Sequence, residues 1–303
     1  MELRQLEYFV TVSEEASFTR AAAKLHVAQP GVSAQVRQLE RELGQALLDR
    51  SGRTVRLTEV GAAVLPYARA ALASVSGARL AVDELAGLMR GHVAVGMVTS
   101  CPAAELPDLL ADFHRDHPAV EITLAEGNSD RLLEALRAGR LDMALIGSAG
   151  PPPAGIETQV VVDEPLVAAV SRSDALSAST RITLAALRTR PLISLPRGTG
   201  LRAALDDACA GAGFQPRIAF EASDPDVLAQ LAARNLGVAI LPASVAHALP
   251  AELHALTITR PRLRGRIELA WRADGPVSPA ARALIGHARS GLATPSADHE
   301  HAA

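Results

Sequence analysis

The sequence has few cysteines and no long hydrophobic run. Its two cysteines, Cys101 and Cys209, lie far apart among 303 residues and predict neither a disulfide framework nor a metal site. No apolar run is long enough to span a bilayer, and the N-terminus does not resemble a signal peptide, so we expect a cytoplasmic protein without a membrane partner. A G-x-S-x-G elbow, a P-loop and zinc-type Cys/His spacing are also missing, and we expect no metal and no cofactor.

A helix-turn-helix pattern occupies Phe18 to Arg37. The apolar spacing predicts one helix behind Ser17 and a second from Pro30 to Gly44. The outer face of the second helix carries polar groups that can reach base edges and phosphates, namely Gln29, Ser33, Gln35 and Arg37. This arrangement is typical of a major-groove reader, although a helical hairpin with a solvated face has the same pattern.

A basic hairpin is predicted next, over Leu47 to Leu57, around the turn pair Ser51-Gly52. Arginines cluster at its tip and return strand: Arg50, Arg53 and Arg56. Seven basic and three acidic side chains lie between Phe18 and Leu57, whereas the whole chain carries a formal net charge of −3. Positive charge is therefore concentrated where the phosphates of DNA would lie.

A long amphipathic helix follows, predicted from Thr58 to about Met89. Its apolar residues recur every three or four positions: Leu65, Ala68, Leu72, Val75, Ala78, Val82, Leu85 and Met89. Such a helix spans roughly 45 Å, more than a small winged domain can cover. An antiparallel copy from a second subunit is the simplest partner, and packing on its own chain is the alternative.

From Gly91 the pattern alternates between strands and helices. The order βαβαβ up to Gly147 predicts a parallel sheet with helices on its faces. Two separate strands are expected at Ile156 to Val162 and Leu166 to Ser171, and a second α/β set continues to about Ser290. Two similar halves predict two lobes with a cleft between them.

These patterns together resemble the LysR-type transcriptional regulators. The stretch SFTRAAAKLHVAQPGVSAQVRQLE and the later segments GHVAVGMVTS, EGNSDRLLEALRAGRLDMALIG, LPRGTGLR and ARNLGVAILP match recurrent stretches of that family. The resemblance implies an α/β protein with an N-terminal winged helix-turn-helix (1–58), a long linker or dimerisation helix (59–89) and a two-lobed α/β effector domain (90–303) like type 2 periplasmic binding proteins. Lobe I would comprise about 91–162 and 268–293, and lobe II about 163–267.

The resemblance also implies site roles. Gln29, Pro30 and Ser33 would begin the recognition helix, and Arg50 and Arg53 would lie in the wing. The expected partners are double-stranded operator DNA and a second copy of the chain, as a dimer and often a dimer of dimers. RNA polymerase is a further candidate partner.

Polar residues at strand ends mark the expected effector site. In such folds the ligand lies at strand C-termini against helix N-termini. The matching positions are Thr99, Ser100, Asn128, Ser129, Thr199, Gly200 and, with Ser223, Asp224. Hydroxyl and free N–H groups there favour a small organic anion, which Arg197 or Arg202 could clamp, although the same residues also serve as ordinary helix caps.

Two further readings concern the same region. Gly198 to Ala203 fits G-x-G-x-x-A with Glu221 beyond it, which makes a nicotinamide-dinucleotide oxidoreductase the alternative function. Peroxide-sensing members of the resembled family carry a reactive cysteine just before the Leu201 helix and a resolving one nine residues later. Cys209 matches the second position, but Gly200 occupies the first, so we expect no peroxide switch of that kind.

Overall fold

The N-terminal part folds as a winged helix-turn-helix. The computed structural model describes residues 1–52, 54–85, 89–99, 106–276 and 278–292. The part begins with α1 (Leu3–Glu15), α2 (Phe18–Lys24), α3 (Gln29–Leu43) and the hairpin strands β1 (Leu48–Asp49) and β2 (Arg56–Leu57). Ser17 caps α2 by accepting from the Arg20 N–H, and Gly44 ends α3 with φ of 70°, a conformation that favours glycine. Phe9, Val36 and Leu39 are fully buried between the helices.

The two halves of the long helix α4 (Glu59–Leu85) differ in how far their predicted apolar stripe is buried. Its first half packs in the winged domain, where Ala68 is buried and Leu65 and Leu72 are partly buried. Further along, the side chain of Val75 is 40% exposed and that of Val82 is 67% exposed. The prediction placed Met89 on this helix, but Met89 is not helical and packs against the core of the first α/β lobe.

The first α/β lobe, as we call the part built on the next three strands, has the predicted βαβαβ order. Its elements are β3 (Gly91–Val98), α5 (Leu106–Asp116), β4 (Val120–Gly127), α6 (Ser129–Arg137) and β5 (Met143–Ser148). β3 lies between β4 and β5 and pairs with both in parallel. The parallel sheet is therefore confirmed; of the helix expected from Ala103, positions 103–105 lie outside the described residues.

The remaining elements form a second lobe on the same plan, except that the last strand and the last helix return to the first lobe, where Leu269 and Leu284 are buried in its core. The chain continues through β6 (Ile156–Ser171), β7 (Arg181–Thr183), β8 (Leu192–Ser194), α7 (Gly200–Gly211), β9 (Ile218–Glu221), α8 (Pro225–Ala233), β10 (Val238–Pro242), α9 (Ala243–Ala248), β11 (Leu253–Thr259), β12 (Arg264–Arg272) and α10 (Pro279–Gly291), with short 3-10 helices at Ala175–Ala178 and Leu184–Leu187. β8 pairs in parallel with β9 and β10, and this trio is the counterpart of β3, β4 and β5.

The two long strands β6 and β12 join the lobes. The prediction of two strands between Ile156 and Ser171 is wrong, because one continuous strand pairs with β12 as far as Pro165 and with β10 from Leu166. Pro165 has no N–H to donate, and it lies where the strand changes partner; the next residue, Leu166, donates to the Leu263 carbonyl at 2.9 Å. The strand therefore continues through the proline.

Separate apolar cores hold each lobe together. Val95, Leu145 and Leu269 are fully buried in the first lobe, and Leu192 and Ile240 are fully buried in the second. Each such side chain contributes about 1.5–3 kcal/mol by leaving water. Each lobe therefore has its own core, and a cavity lies between the two lobes.

No helix within the described ranges is both long and apolar enough to cross a membrane.

Candidate nucleic-acid interface and ligand cavity

The two halves of α3 differ in how their side chains are used. The C-terminal half bonds to the rest of the winged domain: Glu40 accepts from the Leu47 and Leu48 N–H groups at 3.0 and 3.2 Å. Nearer the N-terminus, no bond to any described residue is made by the side chains of Gln29, Ser33, Gln35 and Arg37. These four predicted contact residues are therefore available to a partner, and Pro30 beside them is exposed.

The predicted contact residues do not all share one face of α3. With about 100° of rotation per residue, Gln29, Ser33 and Arg37 form one row along the helix. Gln35 lies about 200° from Ser33, on the opposite flank, and both side chains are half-buried at the edges of the exposed face. Gln35 therefore lies outside the row that the other three side chains form.

The described wing arginines differ in the contacts that they make within the protein. Arg50 forms an ion pair with Glu40 at 2.6 Å, and its guanidinium lies 5.2 Å from the centre of the Phe18 ring. It therefore ties the wing to α2 and α3. Arg56 is exposed at the return strand, and Arg53 lies outside the described residues. Among the described wing arginines, Arg56 is thus the freer to meet a phosphate.

A local hydrogen bond orders the wing tip. The Asp49 carboxylate accepts from the Ser51 N–H at 2.9 Å, and this bond is the main cause that lowers the pKa of Asp49. Asp49 also lies directly opposite Arg56 in the hairpin. The Ser51-Gly52 turn is consequently stabilised by contacts within the hairpin and needs no contact with DNA.

A compact cavity lies between the two lobes. It measures about 130 Å³ and is lined from both sides of the seam. Most of the lining is apolar, including Val98, Val162, Leu195, Leu201, Val245 and Ile267. Because ligand pockets for drug-sized molecules run to roughly 300–1,000 Å³, this space suits a molecule smaller than a nucleotide.

The beginnings of several helices border the cavity. The predicted residues that line it are Thr99, Asn128, Ser129, Thr199 and Gly200, together with Ser223 and Pro225 at the start of α8. Asn128 caps α6 through the Arg131 N–H, and Thr199 caps α7 through the Arg202 N–H. The expected capping role is thus confirmed, while the N–H groups of Ser129 and Gly200 have no acceptor among the described residues.

Two predicted residues take other positions. Asp224 does not line the cavity; its carboxylate caps α8 by accepting from the Asp226 N–H at 3.0 Å. Ser100 lies outside the described residues, so its placement beside Thr99 stays a prediction.

The expected arginine clamp is not present at this cavity. Arg202 is only 5% exposed and donates to Asp206 at 3.0 Å and to Glu221, and neither it nor Arg197 belongs to the cavity lining. The clamp is wrong for Arg202, because carboxylates on its own lobe already neutralise it. The sequence contained no signal for the ion pair between Arg202 and Glu221, since these two residues are brought together only when α7 packs beside β9.

The charged residues along the lining are ones that sequence reasoning missed. Glu164 on β6 accepts from the Ser244 N–H and hydroxyl, both at 2.9 Å, and so caps α9. Arg266 on β12 donates from Nε to Asp163 at 3.2 Å and is nearly half exposed. Both come from the strands that join the lobes, which no local motif marks.

The glycine motif at 198–203 serves lobe packing. A Cβ on Gly200 would lie 2.4 Å from the Gly147 carbonyl carbon, so backbone occupies the space above this glycine. In a dinucleotide-binding site this space must be open, because the pyrophosphate approaches the glycine backbone closely. Glu221, the acidic residue beyond the glycine motif, is paired with Arg202. The oxidoreductase alternative therefore has no support.

Two family models match the two ends of the chain, with residues 63–85 between them. Residues 3–62 match the bacterial regulatory helix-turn-helix protein, lysR family, and residues 86–293 match the LysR substrate binding domain. The chain is 33% identical over 295 residues to the HTH-type transcriptional regulator YnfL of Escherichia coli (strain K12), covering 96% of this chain and 99% of that protein.

Solved structures resemble the whole chain. A full-length OxyR variant from Pseudomonas aeruginosa superposes with a TM-score of 0.73 at 28% identity, covering 99% of both chains. Full-length CbnR, solved in complex with its target DNA, has a TM-score of 0.59 at 30% identity and covers 96% of this chain and 100% of its own. The two matching family models, which together cover most of the chain, and the similarity to YnfL place this chain in the LysR family of DNA-binding transcriptional regulators.

Proposed function

We propose that the protein controls transcription from an operator in response to a small organic anion held between its two lobes. The observation that carries the ligand class is the convergence of helix starts on one small cavity. Three helices of nine or more residues, α6, α7 and α8, begin at its wall. Their dipoles favour negative charge, as do the N–H groups of Ser129 and Gly200, which have no acceptor among the described residues.

The charges around the cavity are consistent with an anion. Glu164 is the carboxylate on the lining, and two donors from Ser244 already satisfy it. Arg266 lies at the rim with one of its nitrogens on Asp163 and can approach a ligand carboxylate with the others. The small volume and apolar walls favour a compact carboxylate over a sugar or a nucleotide.

DNA contact is assigned to α3 and the wing. The unbonded row Gln29, Ser33 and Arg37 would read base edges, with Gln35 on the other flank. Arg56, and Arg53 beside it in sequence, would hold phosphates, while Arg50 would position the wing through Glu40.

Pairing of two copies is assigned to the exposed half of α4. Val75 and Val82 in that half are apolar side chains that are 40% and 67% exposed on a 27-residue helix, and Tyr67, in the first half, is 78% exposed. An antiparallel copy would cover them and place two winged domains on the half-sites of a palindrome. The same proposal includes a dimer of dimers, contact with RNA polymerase and a cytoplasmic location. It also includes the domain boundaries 1–58, 59–89 and 90–303.

The test combines DNA binding with a ligand screen. Purified full-length protein is footprinted on the intergenic DNA beside its own gene, with and without candidate carboxylates. We expect protection of two related half-sites and a change in the protected pattern with one carboxylate. Salt-insensitive binding without a preferred site would contradict the DNA assignment, and an uncharged or cationic best ligand would contradict the anion assignment.

A further inference from the structure

A second cavity lies on the other side of the Gly147–Gly200 contact. It measures about 370 Å³ and is bounded by α6, α7, the end of β5, the segment Ala149 to Pro153 and Glu268 on β12. It shares Ser129, Gly147, Thr199 and Gly200 with the first cavity, but its charged residues are different. Like the first cavity, it is lined by both lobes.

A buried carboxylate without a counter-charge lines this second cavity. Glu268 is 4% exposed, and its Oε1 accepts from the Ser148 hydroxyl at 2.6 Å. The other oxygen, Oε2, has no hydrogen-bond partner in the part of the chain that the structure describes. Burial of an unpaired carboxylate costs several kcal/mol, so this oxygen requires a donor that none of the described residues supplies.

The remaining charges on the lining are mostly negative. The carboxylates are Asp130, Asp206, Asp207 and Glu268, and the cations are Arg197 and Arg202. Arg202 is committed to Asp206 and Glu221, and no ion pair is formed between Arg197 and Glu268. A cation that enters this cavity therefore encounters an excess of negative charge on the lining.

We infer that this second cavity binds a small organic cation, with an ammonium or guanidinium group donating to Oε2 of Glu268. Among the described residues no three acidic, histidine or cysteine side chains are grouped to hold a metal ion, so a donor that needs one buried carboxylate and a polar rim fits better. The Pro151–Pro153 wall and the exposed side of Ala203 leave room for a short aliphatic chain. This site is independent of the anion proposed for the first cavity.

The experiment measures cation binding by full-length protein. Agmatine and n-butylamine serve as cationic probes, and n-butanol and butyrate serve as neutral and anionic counterparts of similar size. By calorimetry and thermal shift, the wild type is expected to bind a cationic probe and to ignore n-butanol at the same concentration. Glu268→Gln, which keeps the acceptor for Ser148, is expected to weaken cation binding about thirtyfold or more.

Three variants distinguish binding at this cavity from a folding defect and from binding elsewhere on the protein. Ala203→Trp should block the second cavity and abolish cation binding without altering the carboxylate, so a folding defect at Glu268 cannot account for both results. Glu252→Gln, at an exposed surface carboxylate, should bind the cation like the wild type. Ser223→Trp narrows only the first cavity and should also leave cation binding intact. Failure of both cations to bind the wild type, or equal binding by Glu268→Gln, overturns the inference, whatever the outcome for the anion.

Discussion

Gly147 and Gly200 touch through their backbones across the two lobes. A Cβ at position 200 would lie 2.4 Å from the Gly147 carbonyl carbon and 2.5 Å from the Ser148 nitrogen. Neither atom can move away as a flexible side chain could. This contact separates the two inter-lobe cavities, and it sets how closely the start of α7 can approach β5.

Gly200→Ala should consequently force the lobes apart. We expect a loss of about 1–3 kcal/mol in the free energy of unfolding of the effector domain and a weakened ligand response, because the added methyl overpacks a backbone contact. Thermal unfolding and operator binding measure the two effects. Gly211→Ala, at the other end of α7 with open space around it, should instead gain roughly 0.5 kcal/mol. Equal stability of the two variants would contradict the closeness of this contact.

Wing and recognition-helix variants should differ in their salt dependence. Arg56→Ala removes a phosphate contact, so binding should weaken on every sequence and the log–log salt slope should flatten by about 0.9; Arg53→Ala is expected to act alike. Ser33→Ala should cost affinity mainly on the operator. Arg115→Ala, on the surface of the first lobe, is the charge-matched control. An unchanged slope for Arg56→Ala in an anisotropy titration would refute its role.

The exposed half of α4 should decide the oligomeric state. Val82→Glu places a charge on the apolar stripe and should shift the protein towards monomers in analytical ultracentrifugation, with weaker operator binding. Ala73→Glu puts the same charge about 180° away around the helix and should leave the dimer intact. A dimer of undiminished affinity with Val82→Glu would exclude this surface.

The first cavity should respond to charge on its ligand. Carboxylic acids are screened by thermal shift beside their own carboxamides, which keep the shape and lose the charge. We expect acids to stabilise the wild type and amides to do so far less, because helix starts line the cavity. Thr99→Trp and Ser223→Trp should remove the response while preserving operator binding. Normal stabilisation of both variants by the best acid would contradict the site.

Cys209 should not react with peroxide. The thiol is fully buried, and burial, followed by the nearby Asp206 carboxylate, raises its pKa to about 11. The thiolate fraction at neutral pH is then roughly 10⁻⁴, and thiolate is the form that attacks peroxide. Reactivity should rise only as the pH approaches this pKa. Mass spectrometry of native protein after peroxide treatment, with Cys209→Ser as control, tests this; a Cys101–Cys209 disulfide with altered operator binding would contradict it.

The winged domain could be predicted almost entirely from the sequence. Its helices, its caps and its hairpin depend on contacts between residues a few positions apart, such as Ser17 with Arg20 and Asp49 with Ser51. Caps at Asn128 and Thr199 were predictable for the same reason. Local spacing encodes these features because helical geometry brings neighbouring residues together whatever the rest of the chain does.

Contacts between distant parts of the chain were decided by tertiary structure. Arg202 was expected at the ligand, yet it binds Glu221, which arrives on a different strand. Glu164 lies at the first cavity and Glu268 at the second because β6 and β12 cross the seam in one particular register. The periodicity of a sequence predicts that a strand will form, but the partner and register of that strand depend on which surfaces pack together. The sequence by itself therefore determined the family and the DNA-binding helices. The positions of the charged residues at the two cavities were decided only by the folded sheet.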